Sequence, residues 1–359
     1  MWLKNTWYVA AFEHELDEQM VARRLLDHPI VMFRASSGEI SALDDACPHR
    51  LIPLSCGKRV GDTLQCGYHG MKFDASGRCV EIPGQTNIPS TACVKRYPCI
   101  ARHGYVWIWL GDTQSADEHL IPDLHWRSDP GWVSANGYHH FAAHYGLVND
   151  NLLDLSHESY IHTRTIGNEE EETIANYPAK VTVEEDCLVR SHREMENIEP
   201  PPFFAAILQH DGPIDRWQTA IHLVPSLNIT DAGAYPTGTD KTKAYVQHVL
   251  HLLTPETAAS THYFWSNMRN FRLADDALTH KIREAVTATF NEDKDIIEQQ
   301  QRQLEALKLV PPKVAIRLDE APMRARRLLD QHIRREADDP HAVIAPPSHL
   351  LRDVALAGA

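Results

Sequence analysis

Two short stretches carry metal-binding residue types at informative spacing. Cys47-Pro48-His49-Arg50 and Cys66-Gly67-Tyr68-His69-Gly70 give Cys-x-His, sixteen intervening residues, then Cys-x-x-His. Two thiolates and two imidazoles suit tetrahedral zinc. They also suit a [2Fe–2S] cluster with cysteines on one iron and histidines on the other, which raises the reduction potential. Zinc knuckles usually pair cysteines close together, whereas here each stretch supplies one cysteine and one histidine, so each loop must reach both irons. Gly67 and Gly70 let the backbone come near the sulfurs, where amide hydrogen bonds tune the potential. The other cysteines, Cys56, Cys79, Cys93, Cys99 and Cys187, have no histidine at ligand spacing and read as small buried hydrophobes.

A second constellation runs from Asn149 to His162. Leu147, Val148, Leu152 and Leu155 are consistent with a helix packed on one side, and Asn151, Asp154 and His157 share a face at i, i+3, i+6. His162 lies five residues past His157, about 140° round an ideal helix. The two imidazoles therefore meet one ion only if the helix widens or ends between them. The helix expected over 275–305 offers a third ligand. Ile282, Val286, Phe290, Ile297 and Leu304 mark its apolar stripe, and Asp293 falls on that stripe. Glu292 is intermediate and the second choice, and Asp295 points to the polar side. A carboxylate facing a core is costly unless it is paired or metal-bound. Two histidines and one carboxylate with open positions form the facial triad of non-haem Fe(II) oxygenases. The plainer alternatives are a solvated helix face and an aspartate paired with a buried arginine or lysine.

The elements that must position these groups follow from pattern. Residues 1 to about 110 read as short strands, among them Trp7–Ala10, Ile30–Phe33 and Tyr105–Trp109, separated by turn signals such as Ser37-Gly38 and Ser76-Gly77. Residues 111–135 are polar and read as a crossing linker. Beyond them come a hairpin at 181–189 and a pair of longer strands at 244–253 and 260–265, with Pro255 and Glu256 expected in the turn. A second helix is expected over 319–337, and prolines 340, 346 and 347 predict a loose tail.

The 359 residues suggest two or three domains, and 43% hydrophobic with 23% charged residues excludes whole-chain disorder. No apolar run approaches the roughly 20 residues of a membrane helix. The net charge of −14 argues against nucleic acid and suits a basic protein partner. The N-terminal residues lack the apolar core of a secretion signal, so a reducing cytoplasm is the expected location.

Cys47-Pro-His-Arg-Leu-Ile-Pro-Leu-Ser and Cys66-Gly-Tyr-His-Gly resemble the two binding loops of Rieske domains. A Rieske pair followed about 85 residues later by Asp-x-x-His-x-x-x-x-His resembles the oxygenase component of Rieske non-haem iron oxygenases. Lys4-Asn-Thr-Trp-Tyr-Val-Ala-Ala, Ile82-Pro-Gly-Gln, Asp215-Arg-Trp-Gln, Leu253-Thr-Pro-Glu-Thr and Glu292-Asp-Lys are similar to the branch acting on vanillate, toluenesulfonate and dicamba. The resemblance implies an α+β chain: an all-β Rieske domain over 1–115, a helix-grip catalytic domain over 116–340 (antiparallel sheet with helices), and the tail over 341–359. It implies that Cys47, His49, Cys66 and His69 hold the cluster and that His157, His162 and Asp293 hold a mononuclear Fe(II). Asp154 then bridges the two centres, accepting hydrogen bonds from His157 and from His69 of a neighbouring copy in a head-to-tail trimer, and Asn151 lies close to the iron.

The activity implied is hydroxylation by O₂ with electrons from NADH or NADPH, delivered by a separate reductase carrying flavin and a ferredoxin-type cluster. No Gly-x-Gly-x-x-Gly fingerprint is present, so the chain needs that partner. Attack on an aryl methoxy group releases formaldehyde, and attack on a ring methyl gives a benzyl alcohol. Pro200-Pro-Pro-Phe-Phe leans to the vanillate type and Pro236-Thr-Gly-Thr to the sulfonate type. Glu284 stands where the dicamba enzyme has tryptophan, which speaks against a dicamba-type pocket. His251 is a candidate partner for an acidic head group on a small aromatic substrate. A bare Rieske electron-transfer protein is the non-catalytic alternative, and a structural zinc protein the other.

Overall fold

The computed structural model describes residues 2–162, 174–210, 212–308 and 314–351. The chain divides into two compact units, one of Met1–Ile121 with Thr254–Thr257 and Arg335–Ile344, the other of Pro122–Leu253, Ala258–Arg334 and Ala345–Ala359.

The first unit is built from three small antiparallel sheets. Trp7–Phe12, Tyr105–Trp109 and Cys99–Arg102 form one, and Val21–Leu25, His28–Arg34, Ile40–Asp44 and Arg96–Tyr97 form another. The third has the strands Lys58–Val60, Thr63–Gln65, Lys72–Asp74 and Cys79–Glu81. Leu64 and Phe73 sit opposite each other across this third sheet and are fully buried, with Val31, Phe33, Leu43 and Leu54 in the same core. Each such side chain contributes roughly 1.5–3 kcal/mol on burial. The core thereby fixes both loops that carry the Cys/His pairs.

The second unit is a seven-stranded antiparallel sheet in the order Val133–Phe141, Ser260–Arg269, Tyr245–Thr257, Leu227–Pro236, Ile214–Leu223, Leu188–Ile198, Lys180–Glu184. The expected hairpin and the pair of longer strands are present. Its helices are α1 (Tyr145–Leu153), α2 (Glu158–Ile161), α3 (Pro202–Leu208), α4 (Asp276–Leu307) and α5 (Glu320–Asp338). Asp275 caps α4 by accepting from the Leu278 amide at 2.8 Å, and the helix ends on left-handed Lys308. The α4 stripe packs Phe290 and Ile297 against Phe141, Leu152, Tyr263 and Trp265.

Three expectations change. Pro255 and Glu256 are not a turn: the strand continues to Thr257 and the turn falls at Ala258-Ala259. A proline keeps its carbonyl acceptor, and here the Pro255 and Glu256 oxygens accept from the Leu26 and Asp27 amides at 2.8 and 2.9 Å. The single helix expected through His157 breaks at Asp154, whose φ/ψ of −108°/87° is not helical. The tail is irregular but anchored as far as Leu350. Ala342, Ile344 and Leu350 are buried, and the Asn5 amide donates to the Pro340 and Ala342 oxygens. Residues 352–359 lie outside the described residues.

Candidate metal centres and substrate cavity

The two Cys/His loops repeat one backbone pattern. The Cys47 amide donates to the Ile52 oxygen and the Leu51 amide to the Cys47 oxygen; the Cys66 amide donates to Met71 and the Gly70 amide to Cys66. Both loops therefore close over the same span, with a left-handed residue four after the cysteine: Leu51 at φ 57° and Gly70 at φ 77°. Gly70 meets that need without strain, whereas Leu51 bears a steric cost. Gly67 serves a different end, since a Cβ there would lie 2.9 Å from the Cys56 oxygen of an adjoining loop.

Cys47 and Cys66 are buried while His49 and His69 are exposed, their rings 4.7 Å apart. Burial pushes the Cys47 thiol up, and the neighbouring Cys66 sulfur adds to that. A buried thiol pair is costly to ionise unless a cation compensates. No three donors of this set come within 4.8 Å of one another, as four ligands of one tetrahedral zinc would at Zn–ligand distances of about 2.0–2.3 Å. A cysteine pair and a histidine pair held apart fit the two irons of a cluster.

The second centre is compact. Among the described residues, His157, His162 and Asp293 are the group of three whose ligand atoms all lie within 4.8 Å. Asp293 Oδ1 stands 3.4 Å from His157 Nε2 and 3.1 Å from His162 Nε2. Ligands at right angles about an octahedral ion at roughly 2.1 Å would stand about 3 Å apart. The break at Asp154 makes this possible: a 3₁₀ turn over Leu155–His157 and the short α2 replace a continuous helix, and His162 caps its end.

Surrounding bonds orient each of the three side chains. His162 Nδ1 pairs with Glu292 Oε2 at 2.8 Å, and His157 Nδ1 with the Asp154 main-chain oxygen at 2.6 Å, so both Nε2 atoms face Asp293. Asn151 donates to Asp293 Oδ1 at 3.1 Å. Burial opposes ionisation of Asp293, yet hydrogen bonds and charge from His157 and His162 hold it well below the usual carboxylate range. Burial likewise disfavours a charged His162, but Asp293 and then Glu292 carry its pKa above the ordinary value. The bond expected from the Asp154 carboxylate to His157 is made by its backbone instead. The carboxylate Oδ1 is drawn onto the Ser156 amide and hydroxyl at 3.0 and 2.6 Å, capping the turn.

These three side chains line a cavity of about 120 Å³ whose other walls are largely apolar, including Leu152, Leu155, Phe203, Phe204, Val249 and Phe290. A void of about 150 Å³ accepts benzene, so this one is sized for a single ring.

The family described as the vanillate O-demethylase oxygenase C-terminal domain matches residues 141–335, and the Rieske [2Fe-2S] domain matches residues 6–98. The chain belongs to the Rieske non-haem iron oxygenases. A putative toluene-4-sulfonate monooxygenase system iron-sulfur subunit of Comamonas testosteroni is 38% identical over 94% of this chain and 98% of its own. A vanillate O-demethylase oxygenase subunit of Pseudomonas sp. is 36% identical over 96% and 98%. The crystal structure of dicamba monooxygenase bound to 3,6-dichlorosalicylic acid superposes with a TM-score of 0.88 at 33% identity, covering 94% of this chain and 99% of that one.

This Rieske oxygenase is a monooxygenase component with a [2Fe–2S] cluster and a non-haem iron. No helix among its described residues is long and apolar enough to cross a membrane. His251 lines its cavity, but both ring nitrogens are engaged, Nδ1 with the Tyr263 hydroxyl at 2.5 Å and Nε2 with Thr230 at 3.1 Å. Burial pushes its pKa down to about 3, so the ring is neutral. A head-group role would require one of these bonds to be exchanged. Sequence reasoning missed Glu158, a buried carboxylate beside His157, and the cavity-lining Arg216, Gln218, Gln247 and Asn267. Alternation along Ile214–Leu223, where Arg216 and Gln218 share a face, was the available signal.

Glu292→Ala is expected to weaken Fe(II) binding about 10- to 100-fold while the cluster's visible spectrum stays unchanged. An Fe(II) titration of iron-depleted protein checks this, and unchanged affinity would show that Glu292 does not orient His162.

Proposed function

We propose that this chain is the oxygenase component that demethylates a methoxy group on an aromatic acid of the vanillate class. The observation that supports it is the His157/His162/Asp293 group on the wall of a ring-sized apolar cavity. One O₂, two electrons and two protons convert the aryl methyl ether to a phenol, formaldehyde and water. In this reading Cys47, His49, Cys66 and His69 hold the cluster, and His157, His162 and Asp293 hold the mononuclear iron. When bound, the cluster supplies single electrons and the mononuclear iron supplies the oxygen chemistry.

The chain's own residues do the rest. Glu292 and the Asp154 carbonyl fix the imidazoles, Asn151 steadies Asp293, and Phe203, Phe204 and Phe290 enclose the ring and exclude water. Asp154 Oδ1 caps the turn, and Oδ2 is the oxygen that would accept from His69 of the partner subunit in a homotrimer. A head-to-tail contact of that kind closes into a ring. The electrons come from an NAD(P)H-dependent reductase with flavin and a ferredoxin-type cluster, in the cytoplasm.

The likeness to the Comamonas subunit supports a second reading, hydroxylation of a ring methyl group. A panel of methoxy- and methyl-substituted benzoates and benzenesulfonates, run with a reductase, separates the two. Formaldehyde formed one-to-one with O₂ consumed supports demethylation, benzyl alcohols support the second reading, and O₂ uptake that no member stimulates defeats both.

A further inference from the structure

Four polar side chains on the cavity wall stand apart from the His157/His162/Asp293 group and its orienting bonds. Arg216 and Gln218 lie two apart on one strand, Gln247 on another and Asn267 on a third, and all four line the cavity. The register places Gln218 opposite Ala232 and Ala232 opposite Gln247, so the two amides flank a small residue on one face. Each residue is at most 6% exposed.

Each also carries a buried polar atom with no hydrogen-bond partner: Arg216 Nε, Gln218 Oε1, Gln247 Nε2 and Asn267 Oδ1. Seven such side-chain atoms occur among the described residues, and four of them belong to this cavity. Unpaired buried polar groups are a standing cost that native proteins rarely keep without use. Arg216 is only loosely neutralised. Its Nη2 lies 3.5 Å from Glu158 Oε1, while Glu158 Oε2 accepts a much shorter bond, 2.5 Å, from Gln218.

The sign of the ligand follows from donor chemistry. A guanidinium can only donate, so whatever faces Arg216 Nε must accept. Side-chain amides can present either end, so Gln247 and Asn267 can add N–H groups toward the same acceptor, while Gln218, whose N–H₂ is spent on Glu158, leaves Oε1 to receive a hydroxyl beside it. An arginine with neighbouring amides suits a planar or trigonal oxyanion.

We propose that Arg216, with Gln247 and Asn267, forms the subsite that binds the carboxylate or sulfonate head group of the aromatic substrate, and that Gln218 Oε1 accepts from a hydroxyl beside it. This rests on reading the cavity as the aromatic-substrate site. His251, already bonded on both nitrogens, then serves as part of the wall.

Calorimetric binding to the anaerobic holoenzyme tests it, with 4-methoxybenzoate, 4-toluenesulfonate and neutral 4-methoxybenzamide as probes. Wild-type protein is expected to bind at least one anion about 10-fold or more tightly than the amide. The R216Q variant is expected to lose about 10- to 100-fold in affinity for that anion and little for the amide. Comparing anion with amide inside one variant cancels any general loss of folded protein. Should R216Q fail to fold, Q247L, which leaves the Glu158 contacts intact, is expected to lower the anion-to-amide ratio about 3- to 10-fold. The acid and sulfonate arms show which oxyanion the subsite takes. Equal or absent binding of anion and amide by wild type, or an unchanged ratio in the variants, overturns the subsite. Anion-selective binding that depends on Arg216, without oxidation of any aromatic, overturns the proposed function and leaves the subsite standing.

Discussion

Asp293→Ala is expected to cut turnover by at least about 10³-fold and to bring mononuclear iron down to background, with the cluster spectrum intact. Loss of an outer residue that merely orients a ligand costs 10- to 100-fold in metal affinity or activity, and Asp293 is the carboxylate itself. It is 5% exposed, and its Oδ1 is the one atom shared by His157, His162 and Asn151. Without it, the two imidazoles are left as the only members of the three-ligand group. Alanine is the best helix former and removes a buried carboxylate, so α4 is expected to persist. Asp295→Ala, on the exposed side of the same helix, is the control and is expected to behave as wild type. Iron per chain and the rate of aromatic oxidation are the measurements. An Asp293→Ala protein with its extra iron and near-normal turnover would show that the ion sits elsewhere.

Asp154→Asn is expected to keep both metal centres and lose about 100-fold or more in coupled turnover. Asparagine caps a helical turn as well as aspartate, so the bonds to Ser156 survive. The bond that orients His157 comes from the backbone oxygen at 154 and is indifferent to the side chain. The substitution therefore removes a negative charge and almost nothing else. If the Asp154 carboxylate accepts from His69 of the partner subunit while its backbone oxygen holds His157, reduced cluster accumulates when the charge is lost and substrate oxidation stalls. Stopped-flow absorbance of the cluster, read beside product formation, distinguishes this from metal loss. Wild-type coupled turnover in this variant would refute the bridge.

Much of this arrangement could be read from residue order because its signals are local. The loop cysteines and histidines are close in sequence, and Asp293 stood out by occupying an apolar stripe that Ile282, Phe290 and Ile297 define and that the structure buries. Glu292, the second choice for that ligand, proved to be the partner that holds His162. What escaped was set by tertiary context. Asp154 breaks the helix because its carboxylate finds Ser156, a competition between side chain and backbone that periodicity does not reveal. The polar cavity wall escaped because it gathers residues from three strands that only the folded sheet brings to one cavity. Pro255 suggested a turn on propensity, but a carbonyl partner kept it in a strand. Prolines beyond residue 338 masked Ile344 and Leu350, which bury themselves without regular structure.

The claim on which all of this depends is a second iron, separate from the cluster, held by His157, His162 and Asp293. Mild chelation of the reduced holoenzyme, followed by readdition of Fe(II), tests it most directly through iron content, visible spectrum and product formation. Loss of about one iron per chain, an unchanged cluster spectrum, no turnover, and recovery on adding Fe(II) are expected. Full turnover in the chelated protein, or iron that leaves only as the cluster colour bleaches, would contradict it.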